Sequence, residues 1–343
     1  MVSALDEGAL VVPSAEEPVN RPGRGPSRTL KVCVGRVWNG PYVLLLPFMA
    51  IFGVFVVLPA GYAIYTSLFS SGGMIFGHRF VGLGNYGIVL HDGEFWASIG
   101  RMLYFGAVQV SVMVALALSL ALLIDSGISR LGGIYRVVYF LPYAVPGAVA
   151  SILWGYMYDP AFGPIGELLR ASTGHSVDFL SGGALLYSLM NVVTWEVTGF
   201  SVMLMLAGLT AISPELVDAA QIDGASAWTI ALRIKTPMIR PILMFVSVLG
   251  VIGALQLFNE PYVFRSITAV SPSFSPNLGV YLTTFSQARV HLGTTLALML
   301  AAVTLLVVGV LLAATRLLVR ARERSRQRAY RRVAPIGGRG VTR

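Results

Sequence analysis

Charge is what this chain has least of. Asp, Glu, Lys and Arg supply 12% of its 343 residues, about half of what a soluble domain uses to keep its surface wet, so water is not its main solvent. Cysteine is nearly absent. The single Cys33 excludes a disulfide within the chain and any cysteine-based zinc or iron–sulfur site, and with only Lys31 and Arg36 nearby it reads as a bystander thiol. Lysine is scarce too, with 23 of the 25 basic residues being Arg, a bias of the kind a GC-rich genome produces. The phosphate-cradling loop of an ATPase is missing, because Leu30 precedes Lys31 and Ile234 precedes Lys235 where glycine would be required. His78, His91, His175 and His291 show no metal-ligand spacing and read as surface histidines, so no metal site, cofactor or catalytic residue is expected.

Long apolar runs are present instead. A hydrocarbon core of about 30 Å takes about 20 helical residues to cross. Six windows poor in charge qualify, at 42–69, 97–124, 134–158, 184–212, 241–264 and 292–314, which predicts an all-α integral membrane protein with six transmembrane helices. Glu196 in the fourth is the one charge near the middle of a window. Pro47, Pro59, Pro142 and Pro146 fall inside the first and third windows, where kinks are expected, and such spans read as packed members of a bundle rather than lipid-facing rods.

Basic residues flanking spans stay on the cytoplasmic side. An N-terminus inside puts 20 of the 25 there and leaves Arg79, Arg101, Arg170, Arg265 and Arg289 outside, so both termini are expected in the cytoplasm. Residues 1–40 read as a disordered tail without the features of a cleavable signal peptide, 41–318 as the six-span domain, and 319–343 as a basic tail suited to anionic lipid rather than nucleic acid. Gly82, Gly84 and Gly87 have dinucleotide-motif spacing, but no buried strand leads into them and they fall in an external loop, so they read as a turn.

The cytoplasmic loop at 213–240 carries the most information. Ser213 can cap a helix with Pro214 in its first turn, Leu216, Ala219 and Ala220 share one face, and Gly224 ends it. Ser226 can cap a second helix carrying Trp228, Ala231 and Leu232, with Pro237 as its stop. Helix, glycine turn and helix also describe a DNA-reading motif, yet here both ends are pinned to membrane spans, so the small apolar face meets a protein docked against the membrane.

Asp218, Ala219, Ala220, Gly224, Ile234 and Pro237 match in order and spacing the glutamate-alanine-alanine loop of permease subunits in binding-protein-dependent ABC importers. The segments FVGLGNY from Phe80, EFW from Glu94, YRVVYFLPYAVPG from Tyr135 and LGVIGALQLFNEPYVF from Leu249 resemble the maltose-type and glycerol-phosphate-type carbohydrate permeases. Asp218 stands where the family usually has glutamate, and Thr236 where it usually has leucine, a change expected only to weaken one packing contact. The resemblance implies a type I permease fold with a cytoplasmic coupling helix, in a multi-pass chain of the bacterial inner or plasma membrane. It also implies a second, unlike permease subunit, two cytoplasmic ATP-binding subunits and an extracytoplasmic sugar-binding (lipo)protein, with ATP hydrolysis on the partner chains. Asp218 complements the positive end of its helix dipole or faces an Arg on the ATPase.

Polar groups inside spans need partners or water and so face inward. Gln109, Asn191, Glu196, Gln256 and Asn259, with Tyr143, Trp195 and Phe258, form the candidate substrate path, since amides and carboxyls meet sugar hydroxyls while aromatic faces cover the apolar side of the ring. Gln109 and Gln256 could equally tie helices together, Trp195 could be packing, and Glu196 has no basic partner near the middle of any span. Asn191 and Trp195, four residues apart, share the face expected to line the path. The competing readings are a proton-coupled secondary carrier acting through Glu196 and a membrane-anchored DNA-binding protein.

Overall fold

The computed structural model describes residues 40–71, 78–126, 132–174 and 177–333. Lys31, Cys33, Arg36, Arg130, His175 and both chain ends lie outside them. The chain divides into two compact units, Met1–Val56 and Val57–Arg343. In the first, helix Gly40–Phe52 contains Pro47 and runs into a π turn at Gly53–Val57. None of the side chains described there is buried.

Among the described residues five helices are long and apolar enough to cross a membrane: Leu45–Ser67, Gly93–Asp125, Ala184–Thr210, Arg240–Phe264 and Val290–Leu317. The third window holds a pair of helices broken in the middle. Ile134–Ala144 and Gly147–Met157 meet at 96°, far sharper than the kink the prolines predict. Pro142 starts a 3-10 turn at Leu141–Ala144, and Pro146 holds Val145 in extended backbone (ψ 124°), because a residue before proline is pushed out of the helical region.

The second span shows how sequence sets the packing. Asp92 caps it, accepting from the N–H groups of Glu94 and Phe95 at 3.0 and 3.1 Å. Phe95, Ile99, Met102, Phe105, Gln109, Met113, Ala117 and Ala121 then recur every three or four residues as one buried stripe. That stripe packs on the fourth and fifth spans in two apolar cores. One gathers Met102, Phe105, Leu189, Val192, Leu255, Phe264 and Leu278, and the other Val110, Met113, Val202, Met205, Leu209 and Val246.

Two expectations need correction. His291 is buried at the start of the sixth span, its ring Nδ1 3.0 Å from the Thr66 carbonyl, so it is not a surface histidine. The glycine-rich segment follows two short antiparallel strands, Phe69–Ser71 and His78–Phe80, and only Gly82 (φ 55°) is in a turn. From Gly84 to Leu90 the chain is helix, held by the Asn85 amide donating to the carbonyls of Ser67 and Phe69, both at 2.7 Å. The last helix runs on from the membrane as far as Val333, carrying the start of the basic tail with it.

Candidate functional site

Between the fourth and fifth spans, helix Pro214–Ile222 is closed by Gly224, whose φ of 80° lies in the left-handed region that favours glycine. The N–H of Ala225 donates to Ala220 O at 2.9 Å and that of Gly224 to Gln221 O at 3.0 Å, the two bonds of a Schellman cap. Ser213 does not cap as expected. Its hydroxyl donates to Glu215 Oε2 at 3.1 Å, and the first turn relies on Pro214, whose missing N–H needs no partner there. Ser226 does cap the next helix, accepting from the Thr229 N–H at 3.3 Å.

Beyond Thr229 the helix widens into a π turn at Ile230–Lys235. Pro237 does not stop it, since Thr236–Met238 is helical and the break comes at Ile239. Thr236 is more than a weakened contact. Its N–H and its hydroxyl, at 2.8 Å, both donate to Ala231 O five residues back, the bond that defines a π turn.

The helix presents Asp218 and Ala219 exposed, with Ala220 and Ile234 half-buried. Glu215 occupies the first turn, and among the described residues the Asp218 carboxyl makes no hydrogen bond or ion pair. Two further apolar side chains stand out: Ile222 is 87% and Trp228 74% exposed, one on each side of the Gly224 turn. Ile222 was not singled out from sequence, although an isoleucine between Gln221 and Asp223 at a helix end was the available signal.

The intramembrane candidates do not form one site. Gln109 and Tyr143 meet in a cavity of about 200 Å³ between the second, third, fourth and fifth spans, lined also by Val197, Phe200 and Gly253. Gln109 is 2% exposed and its Nε2 has no hydrogen-bond partner among the described residues, while Tyr143 stacks on Phe200 with centroids 4.9 Å apart. Asn191 is exposed and donates to the Tyr158 hydroxyl at 2.7 Å. Trp195 is edge-on to Trp154 with centroids 5.9 Å apart and packs against the core that holds Met102, Phe105 and Leu189. Phe258 belongs to a separate aromatic group with Tyr262 and Tyr281, next to exposed Gln256 and Asn259.

Glu196 is buried, and its neighbour is another acid, Glu260 of the fifth span, within side-chain hydrogen-bonding reach. Glu260 was passed over because it sits near the end of its span. Both carboxyls crowd Gly147, where an added Cβ would lie 2.9 Å from Glu260 Oε1 and 3.5 Å from Glu196 Oε1. Gly147 opens the second limb of the broken span, so the positive end of that helix stands where a basic side chain was sought.

No family model matches the chain. It is 33% identical over 223 residues to the trehalose/maltose transport system permease protein MalF of Thermococcus litoralis, covering 65% of this chain and 75% of that one. Against the lactose transport system permease protein LacF of Rhizobium radiobacter it is 30% identical, with 71% and 82% covered. Against the sn-glycerol-3-phosphate transport system permease protein UgpA of Agrobacterium fabrum it is 30% identical, with 70% and 81% covered. A solved bacterial ABC transporter that imports the acidic polysaccharide alginate contains a chain that superposes with a TM-score of 0.70 at 21% identity, over 80% of this chain and 94% of that one. These relatives give a proton-coupled carrier no support.

Proposed function

The chain belongs to the permease subunits of ABC sugar importers, and from that premise we propose that it forms one half of a sugar translocation path with a second, unlike permease. It is a multi-pass membrane transport component, not an enzyme. In this reading two cytoplasmic ATP-binding subunits dock on the loop through Asp218, Ala219, Ala220, Gly224, Ile234 and Pro237, joined by Ile222 and Trp228. An extracytoplasmic sugar-binding protein delivers the substrate from the other side. One observation carries the docking assignment: a loop capped as a rigid pair of short helices leaves Ile222 and Trp228 facing outward, an apolar surface that only a partner can cover. Asp218, with no partner among the described residues, fits a basic group on the ATPase better than compensation of its own helix dipole.

The path is proposed along the polar faces of the fourth and fifth spans, with Gln109 and Tyr143 at the cavity, and Asn191, Trp195, Glu196, Gln256, Phe258 and Asn259 as the remaining lining. Both termini are assigned to the cytoplasm, with the basic C-terminal tail against anionic lipid. Two assays test this. Inward transport in membrane vesicles should require ATP and the binding protein, and a proton gradient sufficing alone would overturn it. In a Cys33→Ser background, Gly87→Cys and Gly174→Cys should label from outside intact cells, whereas labelling of Ser226→Cys would reject the orientation.

A further inference from the structure

Two polar straps fasten the second span to the chain on either side of the fifth. At one end the Arg101 guanidinium donates through Nη1 to the carbonyls of Ser273 and Phe274, at 2.8 and 3.0 Å, and stands 5.6 Å from the centroid of the Phe274 ring. At the other, Lys235 Nζ donates to Asp125 Oδ2 at 2.5 Å, with the two side chains only 16% and 11% exposed. Asp125 closes the C-terminal end of its helix, where the dipole disfavours an acid, so it depends on Lys235 for a countercharge. Arg101 and Asp125 are 24 residue steps apart, about 36 Å along the helix, the full depth of a bilayer core.

Between the straps the two helices touch through small residues. A Cβ added at Gly106 would meet Ala254 Cβ at 3.0 Å, and one at Gly250 would meet Val110 Cγ2 at 2.8 Å, the close approach by which helices associate where lipid offers no hydrophobic drive. Lys235 lies in the loop between the fourth and fifth spans, and Ser273 and Phe274 lie in the loop after the fifth. We propose that the second span is the rod that carries movement of the coupling loop to the loop after the fifth span, with Asp125–Lys235 and Arg101–Ser273/Phe274 as its two fastenings. This rests on the docking role proposed above. In this role Arg101, Asp125 and Lys235 are positioning residues, which make spans two and five shift as one body rather than slide.

The test uses the assembled complex with its ATPases in a Cys33→Ser background and an exposed reporter, Ala269→Cys, in the loop after the fifth span. A membrane-impermeant maleimide is the probe, and its labelling rate is read with and without a non-hydrolysable ATP analogue. The analogue should change that rate by about fivefold or more, the lower bound of typical coupling between sites. Asp125→Asn, Lys235→Met and Arg101→Met should each abolish the change while the ATPase remains bound, and Asp125→Lys combined with Lys235→Asp should restore it. An unaltered response in Arg101→Met, whose site lies far from the docking loop, would overturn the proposal. Loss of ATPase binding in Asp125→Asn and Lys235→Met would overturn it as well, by making the pair part of the docking surface. A parent complex that recruits no ATPase fails the docking reading itself, which is a separate outcome read by co-purification.

Discussion

The loop at 213–240 and the polar residues inside the bundle answer to opposite rules. In the loop the chemistry faces out: Asp218, Ile222 and Trp228 are exposed, and the hydrogen bonds there serve to fix the backbone. Inside the bundle the polar side chains face one another or nothing: Asn191 meets Tyr158 and Glu196 lies beside Glu260, while Gln109 Nε2, Trp154 Nε1 and Glu196 Oε1 are buried without a hydrogen-bond partner among the described residues. The loop offers its open valences to whatever docks on it, whereas those of the bundle are shut away from solvent between the spans. Substitutions should therefore separate the two regions by readout, with assembly sensitive to the loop and transport or stability sensitive to the bundle.

The largest effect is expected at Gly224. No atom lies within 4 Å of a Cβ built there, so the penalty of Gly224→Trp comes from the left-handed backbone and from a bulky group on the docking face. ATPase co-purification and transport should both be lost with membrane insertion normal, and retention of both would remove the loop's docking role. Gly147→Val comes next. Its side chain would meet two carboxyls at the break of the third span, and overpacking of this kind costs about 1–3 kcal/mol. Thermal melting of the detergent-solubilised protein should fall while the loop still binds the ATPase, and an unchanged melting point would show that the carboxyls yield freely.

Trp195→Ala should have an intermediate effect and sharpen the contrast within the bundle. If Trp195 lines the path, sugar uptake falls at an unchanged amount of complex, whereas a packing role lowers both together. Thr236→Leu, the residue usual in the family, should have the smallest effect. It removes one side-chain hydrogen bond worth about 0.5–1.5 kcal/mol, so transport should fall less than severalfold.

The loop was legible from sequence because its signals are local. A proline at a helix start, a glycine at its end and a serine cap three residues from a partner N–H are read along the chain, and only the Ser213 cap and the Pro237 stop were misplaced. The broken third span was legible as prolines but not as a 96° turn, because the angle depends on what the limbs pack against. Nor does period or hydropathy reveal that Glu196 would meet Glu260, 64 residues on, across Gly147. Asp125 and Lys235 are 110 residues apart and escaped notice for the same reason.

The account stands on the loop as the place where the ATPase docks, and site-specific photo-crosslinking addresses that most directly. With a photoreactive phenylalanine at Ile222 or Trp228, irradiation of native membranes should give an adduct with the ATP-binding subunit, while the same group at Phe162, exposed at the opposite end of the bundle, should give none. Absence of the adduct at both loop positions in a complex that otherwise assembles would contradict it.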